Sequence, residues 1–216
     1  MQLRRVVCRE GRLVLADDGG EVALWGANYY AAHFCQYDNI KRLGLDHKEV
    51  IDRDLDDLKA IGCDVVRMHV FDREITDREG RLVENPHLDL LDYTIGACAE
   101  RGIYFFLTAI AWWPAAAFDS ADGFSNYYSQ EALKFLPAAL DAQERYLRGL
   151  LRRPNRYRGG LAMGDDPAVA LIEIMNEVEF DRYENTVGIA RGALPAPSYP
   201  WGGPATHGNV EEKREM

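Results

Sequence analysis

Short apolar runs alternate with stretches of helical periodicity along most of the chain. Four of these runs have the length and apolar content of buried strands, and they cover residues 25–30, 65–70, 103–110 and 169–177. The segments between them place apolar residues three or four positions apart, as one face of a helix requires. Strands and helices in alternation predict a parallel sheet joined by right-handed crossovers, so the expected fold class is α/β.

Two of the helical segments carry clear start signals. Asp46 is expected to cap the first, with Glu49 at the third helical position as in a capping box. Asn85 followed by Pro86 is expected to open the second. Gly62 is a fitting end for the first helix, whose apolar stripe would consist of Ile51, Leu55, Leu58 and Ile61.

The start of the chain is expected to form a β-hairpin. Residues 12–15 and 21–25 would pair across residues 17–20, where the sequence Asp-Asp-Gly-Gly favours a turn. The second of these strands leads into residues 28–30, a strand end rich in polar and aromatic groups. Residues 31–45 are expected to be a loop.

Both a flavodoxin-like sheet and a (β/α)₈ barrel accommodate this order of elements. No glycine-rich phosphate loop follows the first strand, and polar residues gather at the C-terminal ends of the strands. In (β/α)₈ enzymes the chemistry lies at that end of the strands, so the barrel is favoured.

About four βα units can be counted, whereas a complete TIM barrel typically needs about 250 residues. We therefore expect residues 1–187 to form the N-terminal half of such a barrel. Residues 188–216, rich in glycine, proline and charge, are expected to be an irregular tail.

Composition narrows the possible partners. The 216 residues are 47% hydrophobic and carry a net charge of −10, with acidic and basic residues mixed along the chain. This charge argues against nucleic acid as a partner. No apolar run is long enough to span a bilayer, and no signal peptide is visible. The sequence therefore indicates a soluble protein without a membrane partner, and it leaves secretion open.

The four cysteines and five histidines are scattered along the chain. They form no Cys-x-x-Cys pair and show no metal-ligand spacing. Cys63 and Cys98 are best interpreted as small core residues. Neither a metal site nor a cofactor is expected.

The last apolar run ends in Asn176 and Glu177. Side chains alternate along a strand, so Glu173 and Glu177 share one face of it. Two carboxylates on the face of an apolar strand are costly unless each has a partner or a chemical role. Arg67, which points inward from the second strand, is the expected partner of Glu173. The chemical role is therefore assigned to Glu177.

These motifs resemble those of glycoside hydrolase family 5, in the clan of retaining (β/α)₈ hydrolases. The resemblance covers residues 11–180. Its most specific part is Asn176-Glu177, because the family's acid/base glutamate follows an asparagine at the end of strand four. The other parts are Gly26-Ala27-Asn28-Tyr29-Tyr30, Arg67-Met68-His69, Asp165-Asp166-Pro167-Ala168-Val169, and a third strand from Leu107-Thr108 to Trp112-Trp113 that resembles the β-mannanase branch.

The resemblance implies a hydrolase that cleaves β-linked polysaccharide or oligosaccharide, β-mannan or β-glucan, with retention. Glu177 would be the general acid and base, Asn176 would hydrogen-bond the sugar 2-hydroxyl, and Arg67 would orient the carboxylates. The carbohydrate would also contact side chains at the strand ends, which are Asn28, Tyr29, Tyr30, His69, Trp112 and Trp113. Tyr29 and Tyr30 face opposite ways along their strand, so at most one of them lines the site.

The resemblance also implies a second glutamate, the nucleophile, at the end of strand seven. We expect that strand, and the nucleophile with it, to be missing from this chain. The alternative function is a non-catalytic half-barrel that binds glycan or associates with another subunit. A half-barrel exposes two sheet edges, so self-association is expected under either function.

Overall fold

The structure is a computed structural model that describes residues 3–111, 123–128 and 132–177. In these ranges a four-stranded parallel sheet is accompanied by helices and preceded by a two-stranded hairpin. The expected α/β class is confirmed. Trp112 and Trp113 lie outside the described residues, as do the expected end of the barrel half and the expected tail at residues 188–216.

The secondary structure begins with strands and then alternates. The strands are β1 (Val6–Arg9), β2 (Arg12–Leu15), β3 (Gly26–Asn28), β4 (Val65–His69), β5 (Tyr104–Ile110), β6 (Pro154–Asn155), β7 (Leu161–Ala162) and β8 (Val169–Met175). The helices are α1 (Phe34–Arg42), α2 (His47–Ala60), α3 (Asp72–Ile75), α4 (Pro86–Glu100), α5 (Phe124–Tyr127), α6 (Ala132–Phe135) and α7 (Pro137–Arg152). None of these helices combines the length and apolar composition needed to cross a bilayer.

Strands β3, β4, β5 and β8 lie side by side in the order in which they occur in the chain. All three pairings are parallel. A barrel is built in this sequential order, whereas a doubly wound sheet reverses its order part-way along. The sheet is therefore that of a partial (β/α)₈ barrel, and the flavodoxin-like alternative is excluded.

The register of the sheet aligns polar side chains across its inner face. Paired residues of parallel strands point to the same side of the sheet. Two layers result, Asn28–Arg67–Phe106 and His69–Thr108–Glu173. The other face joins residues of α2 and α4 in the main hydrophobic core, which includes Ile51, Leu55, Val66, Met68, Leu91, Ile95, Phe105 and Leu107.

An N-terminal hairpin is present, but residues 12–15 form its second strand and not its first as expected. Strands β1 and β2 pair antiparallel, with Arg9 opposite Arg12. Between them Glu10 and Gly11 have φ of 51° and 76°. Positive φ at both central residues is the geometry of a two-residue type I′ turn, which suits a right-twisted hairpin. The predicted pairing of residues 12–15 with 21–25 is confirmed only at its start, where an isolated antiparallel bridge joins Val14 to Glu21, and it is wrong for the rest.

The expectation of a loop over residues 31–45 is also wrong. Helix α1 occupies residues 34–42, and the side chain of the preceding His33 makes no capping hydrogen bond. Phe34 has φ of 57°, a left-handed conformation that β-carbon sterics disfavour. This helix thus begins without the residues that usually announce a helix start.

The predicted caps of α2 and α4 are confirmed. The Asp46 carboxylate accepts hydrogen bonds from the backbone N–H groups of Lys48 (2.8 Å) and Glu49 (3.0 Å). The Asn85 side chain accepts one from Leu88 N–H at 3.0 Å. Ile61, expected in the apolar stripe of α2, is instead the C-terminal cap and is 66% exposed.

Gly26 supplies a test of the packing between β3 and β4. A β carbon at this position would overlap the backbone carbonyl of Val65 on the neighbouring strand. We expect Gly26→Ala to destabilise the protein by about 1–3 kcal/mol, the usual cost of overpacking. Urea unfolding followed by circular dichroism measures the change.

Gly149→Ala in α7 is the matched control. Its new methyl group would meet Leu82 at an ordinary distance of 3.6 Å, and alanine is the better helix former. Unfolding midpoints that move equally for both variants would contradict this account of Gly26.

Candidate active site

Arg67 is at the centre of a hydrogen-bond network at the C-terminal ends of the strands. Its guanidinium donates to Asn28 Oδ1 at 3.2 Å, to Asn176 Oδ1 at 3.1 Å and to the carboxylate of Glu173. The ring of Phe106 lies 5.4 Å from the guanidinium carbon. One side chain of β4 thereby connects β3, β8 and the turn after β8.

Glu173 accepts hydrogen bonds from residues of two other strands, β4 and β5. Besides the bond from Arg67, its Oε2 accepts one from the Thr108 hydroxyl at 2.6 Å. Burial alone would raise the pKa of Glu173, but the bonds from Thr108 and Arg67 outweigh burial and lower this pKa. The predicted pairing of Arg67 with Glu173 is confirmed, and the carboxylate stays ionised.

Asn176 is oriented by two donors that meet at its side-chain oxygen. Oδ1 accepts from Arg67 and also lies 2.8 Å from His69 Nε2. Since an amide oxygen only accepts, His69 must carry its proton on Nε2. In the neutral imidazole Nδ1 is then an acceptor, so the Tyr30 hydroxyl, 2.9 Å away, donates to it.

The imidazole of His69 is held in its neutral form. Burial lowers its pKa, and this effect outweighs the hydrogen bond with Asn176 and the charge of Glu177, which both raise it. Burial also raises the pKa of Tyr30, so its hydroxyl remains a donor at neutral pH. The rings of Tyr30 and His69 stack with centroids 5.3 Å apart.

Glu177 follows directly on this network. The backbone N–H of Asn176 donates to the carbonyl of Ile110 at 3.0 Å, which fixes the end of β8 against β5. Glu177 itself is exposed and has φ of 45°. Its charge raises the pKa of both Tyr30 and His69. The carboxylate is therefore within electrostatic reach of the same inner face.

The structure brings most of the sequence-predicted site residues together. Those that gather at this edge of the sheet are Asn28, Tyr30, Arg67, His69, Asn176 and Glu177. Tyr29 is not among them, because it is buried and its hydroxyl donates to Asp54 on α2 at 3.0 Å. Only Tyr30 of the tyrosine pair meets the network. Trp112 and Trp113 lie outside the described residues.

Sequence reasoning missed Thr108 and Phe106 as parts of the network. Thr108 supplies the second hydrogen bond to Glu173, and Phe106 supports the Arg67 guanidinium. The available signal was Thr108 itself, the single hydroxyl in the apolar run of residues 105–110. Among the described residues, the group able to hold a metal ion lies elsewhere and consists of His33, Glu74 and His87.

Comparison with known proteins finds likeness in structure. No protein-family model matches the sequence, and no curated protein matches it. An endo-1,4-β-mannanase from Rhizomucor miehei superposes with a TM-score of 0.61 at 20% identity, covering 80% of this chain and 48% of that one. An endo-β-1,4-mannanase from Thermotoga petrophila gives 0.58 at 20% identity, covering 79% and 38%.

A third solved structure carries the family name. A glycoside hydrolase family 5 mannosidase from R. miehei gives a TM-score of 0.57 at 14% identity, covering 83% of this chain and 50% of that one. The predicted resemblance to this family is confirmed at the level of the fold. The chain spans half the length or less of these three solved chains.

The arrangement of Asn176 and His69 can be tested by changing one atom. Asn176→Asp replaces a neutral amide by a carboxylate beside His69. We expect the pKa of His69 to rise, since a nearby negative charge favours the imidazolium. NMR titration of ¹³C- and ¹⁵N-labelled histidine measures the pKa, and in the unchanged protein it should also show the proton on Nε2.

Asn39→Asp is the control, because it adds the same charge at an exposed position on α1. We expect it to leave the titration of His69 unchanged. The same His69 pKa in all three proteins would contradict the contact between His69 and Asn176.

Proposed function

We propose that the chain supplies the acid/base half of a retaining glycoside hydrolase site that acts on β-linked mannan. Glu177 is the proposed general acid and base, Asn176 the ligand of the sugar 2-hydroxyl, and Arg67 the residue that orients both. The observation that carries the proposal is the Arg67 network, which lies where barrel enzymes place their chemistry.

The environment of Glu177 suits a group that exchanges protons with substrate and water. The side chain is exposed at the end of a barrel strand, so a glycosidic oxygen can approach it. In the first step it would protonate the leaving oxygen, and in the second it would take a proton from the attacking water. The carboxylate of Glu173 could neither give nor take a proton in this way without breaking its pair with Arg67.

The orientation of Asn176 determines how it would meet a sugar. Its Oδ1 accepts from Arg67 and His69. It would therefore address a hydroxyl oxygen as a donor through Nδ2. A donor to the 2-hydroxyl oxygen fits the contact that strengthens as an oxocarbenium-like transition state forms.

A retaining mechanism also needs a nucleophilic carboxyl group about 5–5.5 Å from the acid/base. Glu173 is not proposed for this role, because Arg67 and Thr108 both hold its carboxylate. The nucleophile would lie on strands that complete a barrel between β8 and β3. Tyr30, Trp112 and Trp113 are proposed to offer flat faces to sugar rings.

The choice of mannan rests on the named structural neighbours. Those reported above are mannanases and a mannosidase. β-Mannan, rather than β-glucan, is therefore the first substrate to examine. A second candidate function, a glycan-binding half-barrel without catalysis, is favoured by the sheet, whose β3 and β8 are edge strands in the described part of the chain.

Glu177→Gln is the direct test of the proposed catalytic role. The amide keeps the shape of the side chain but cannot give up a proton. In a protein that also contains the strands carrying the nucleophile, we expect mannohexaose hydrolysis, followed by chromatography of the products, to fall at least about 100-fold, as is typical when a general acid is removed. Glu100→Gln, an exposed position at the end of α4, should keep the rate of the unchanged chain.

Equal and measurable rates with glutamate and with glutamine at position 177, in a protein that contains the nucleophile strands, would contradict the acid/base assignment. Isothermal titration with the same oligosaccharide separates the second candidate function. Binding that is intact in Glu177→Gln and weakened in Arg67→Met, without turnover in any variant, would support the non-catalytic half-barrel.

Self-association is a further part of the proposal. Ile172 and Ile174 lie on the outer face of the edge strand β8, with 41% and 52% of their surfaces exposed. Adjacent apolar side chains on an edge strand favour pairing with another molecule. We expect sedimentation velocity to show dimers or larger species, and Ile174→Lys to shift the population towards monomer.

Ile61→Lys is the matched control, because Ile61 is 66% exposed at the end of α2, away from that edge. It should leave the distribution unchanged. A monomer at all concentrations in the unchanged chain would overturn the self-association proposal.

A further inference from the structure

Three side chains from separate elements converge outside the Arg67 network. His33 precedes α1, Glu74 lies in α3, and His87 is the second residue of α4. One ligand atom from each lies within 4.8 Å of the others. Glu74 Oε2 is 2.7 Å from His33 Nδ1 and 3.5 Å from His87 Nδ1. The carboxylate oxygen therefore lies between two imidazoles.

The group is removed from water. The side chain of His33 is 0% exposed, that of Glu74 is 5% exposed and that of His87 is 21% exposed. Glu74 accepts from the backbone N–H of Phe34 at 3.0 Å through its other oxygen, so it acts as an ionised acceptor on both sides. A buried carboxylate of this kind requires a compensating positive charge.

His33 adds an independent observation. Its Nε2 is buried and has no hydrogen-bond partner among the described residues. Most buried polar atoms in native proteins are paired, and an unpaired one calls for a ligand or other explanation. The protein atoms described around His33 thus leave its hydrogen-bonding capacity incomplete.

The surrounding contacts hold the three side chains in place. His87 Nδ1 lies 3.0 Å from the carbonyl oxygen of Ala32, a contact that restrains the imidazole. Asn85 Nδ2 donates to the Glu74 carbonyl at 2.6 Å and joins α3 to the start of α4. The Tyr37 ring packs on His87, with centroids 4.0 Å apart.

We propose that His33, Glu74 and His87 bind a divalent transition-metal ion, with Zn²⁺ as the best match. Two imidazole nitrogens and one carboxylate form a recognised zinc donor set, which leaves one coordination position for water. Calcium and magnesium prefer sites made of oxygen ligands and fit this set poorly. Metal binding by these three residues does not depend on glycoside hydrolysis.

The position of the group defines what the ion would do. It would fasten the segment between β3 and α1 onto α3 and α4. Phe34, the first residue of α1, stacks on Phe71 with ring centroids 4.9 Å apart, and Tyr30 packs against the same small cluster. The ion would therefore fix the wall beside the Tyr30–His69 pair without contacting it.

Zinc binding can be measured without any enzyme assay. The tag-free chain, treated with EDTA and dialysed, is titrated with ZnCl₂ in competition with a chromophoric chelator. We expect one equivalent to bind with a micromolar or lower dissociation constant, and we expect the unfolding temperature to rise when zinc is added. Co²⁺ in place of zinc should give visible absorption bands that report its ligands.

Glu74→Gln and His87→Gln should each weaken zinc binding at least tenfold and remove the zinc-dependent rise in unfolding temperature. His47→Gln is the matched control, because His47 also stacks on Tyr37, at 4.4 Å, yet lies outside the group. Circular dichroism of each variant without metal verifies that it folds. A folded chain that takes up no zinc, or equal binding in all variants, would overturn the proposal and identify an internal hydrogen-bonded carboxylate.

Discussion

The guanidinium of Arg67 donates to acceptors on β3, on β8 and at the turn after β8, and the arrangement of the inner face depends on it. A partly buried cation is stable only when its donors are used. The hydrogen bond from Arg67 to Asn176 Oδ1 fixes the orientation of that amide. The amide oxygen then determines which nitrogen of His69 carries the proton. The Tyr30 hydroxyl is oriented in turn, because it donates to the unprotonated Nδ1 of His69. Three side chains, those of Asn176, His69 and Tyr30, are thus oriented through one charge before any ligand arrives.

The parts of the fold that the sequence could predict are those controlled by neighbours in the chain. Asp46 and Asn85 cap helices because each sits just before exposed backbone N–H groups. The pairing of Arg67 with Glu173 could be inferred because strand alternation places both on the inner face, where neither is stable alone. These inferences needed only local spacing and the cost of burying charge.

The features that the sequence did not predict depend mainly on contacts between distant residues. Helix α1 starts at Phe34 in a left-handed conformation, and its backbone N–H is held by Glu74, which is 40 residues away. The hairpin closes at Glu10-Gly11, a less usual type I′ pair than Asn-Gly. The group of His33, Glu74 and His87 has no short spacing that a motif could capture. For α1 and for the group of His33, Glu74 and His87, tertiary contacts supply what local propensity does not.

At position 177 the backbone conformation and the proposed chemistry favour different residues. Glycine or asparagine adopts φ of 45° at lower cost than glutamate. Laboratory evolution for heat resistance alone would therefore drift towards those residues and erase the carboxylate. Selection for growth on mannan would, under the proposed function, return to glutamate. The two selections, applied to the same library, would therefore favour different residues at position 177 and the same residues in the hydrophobic core.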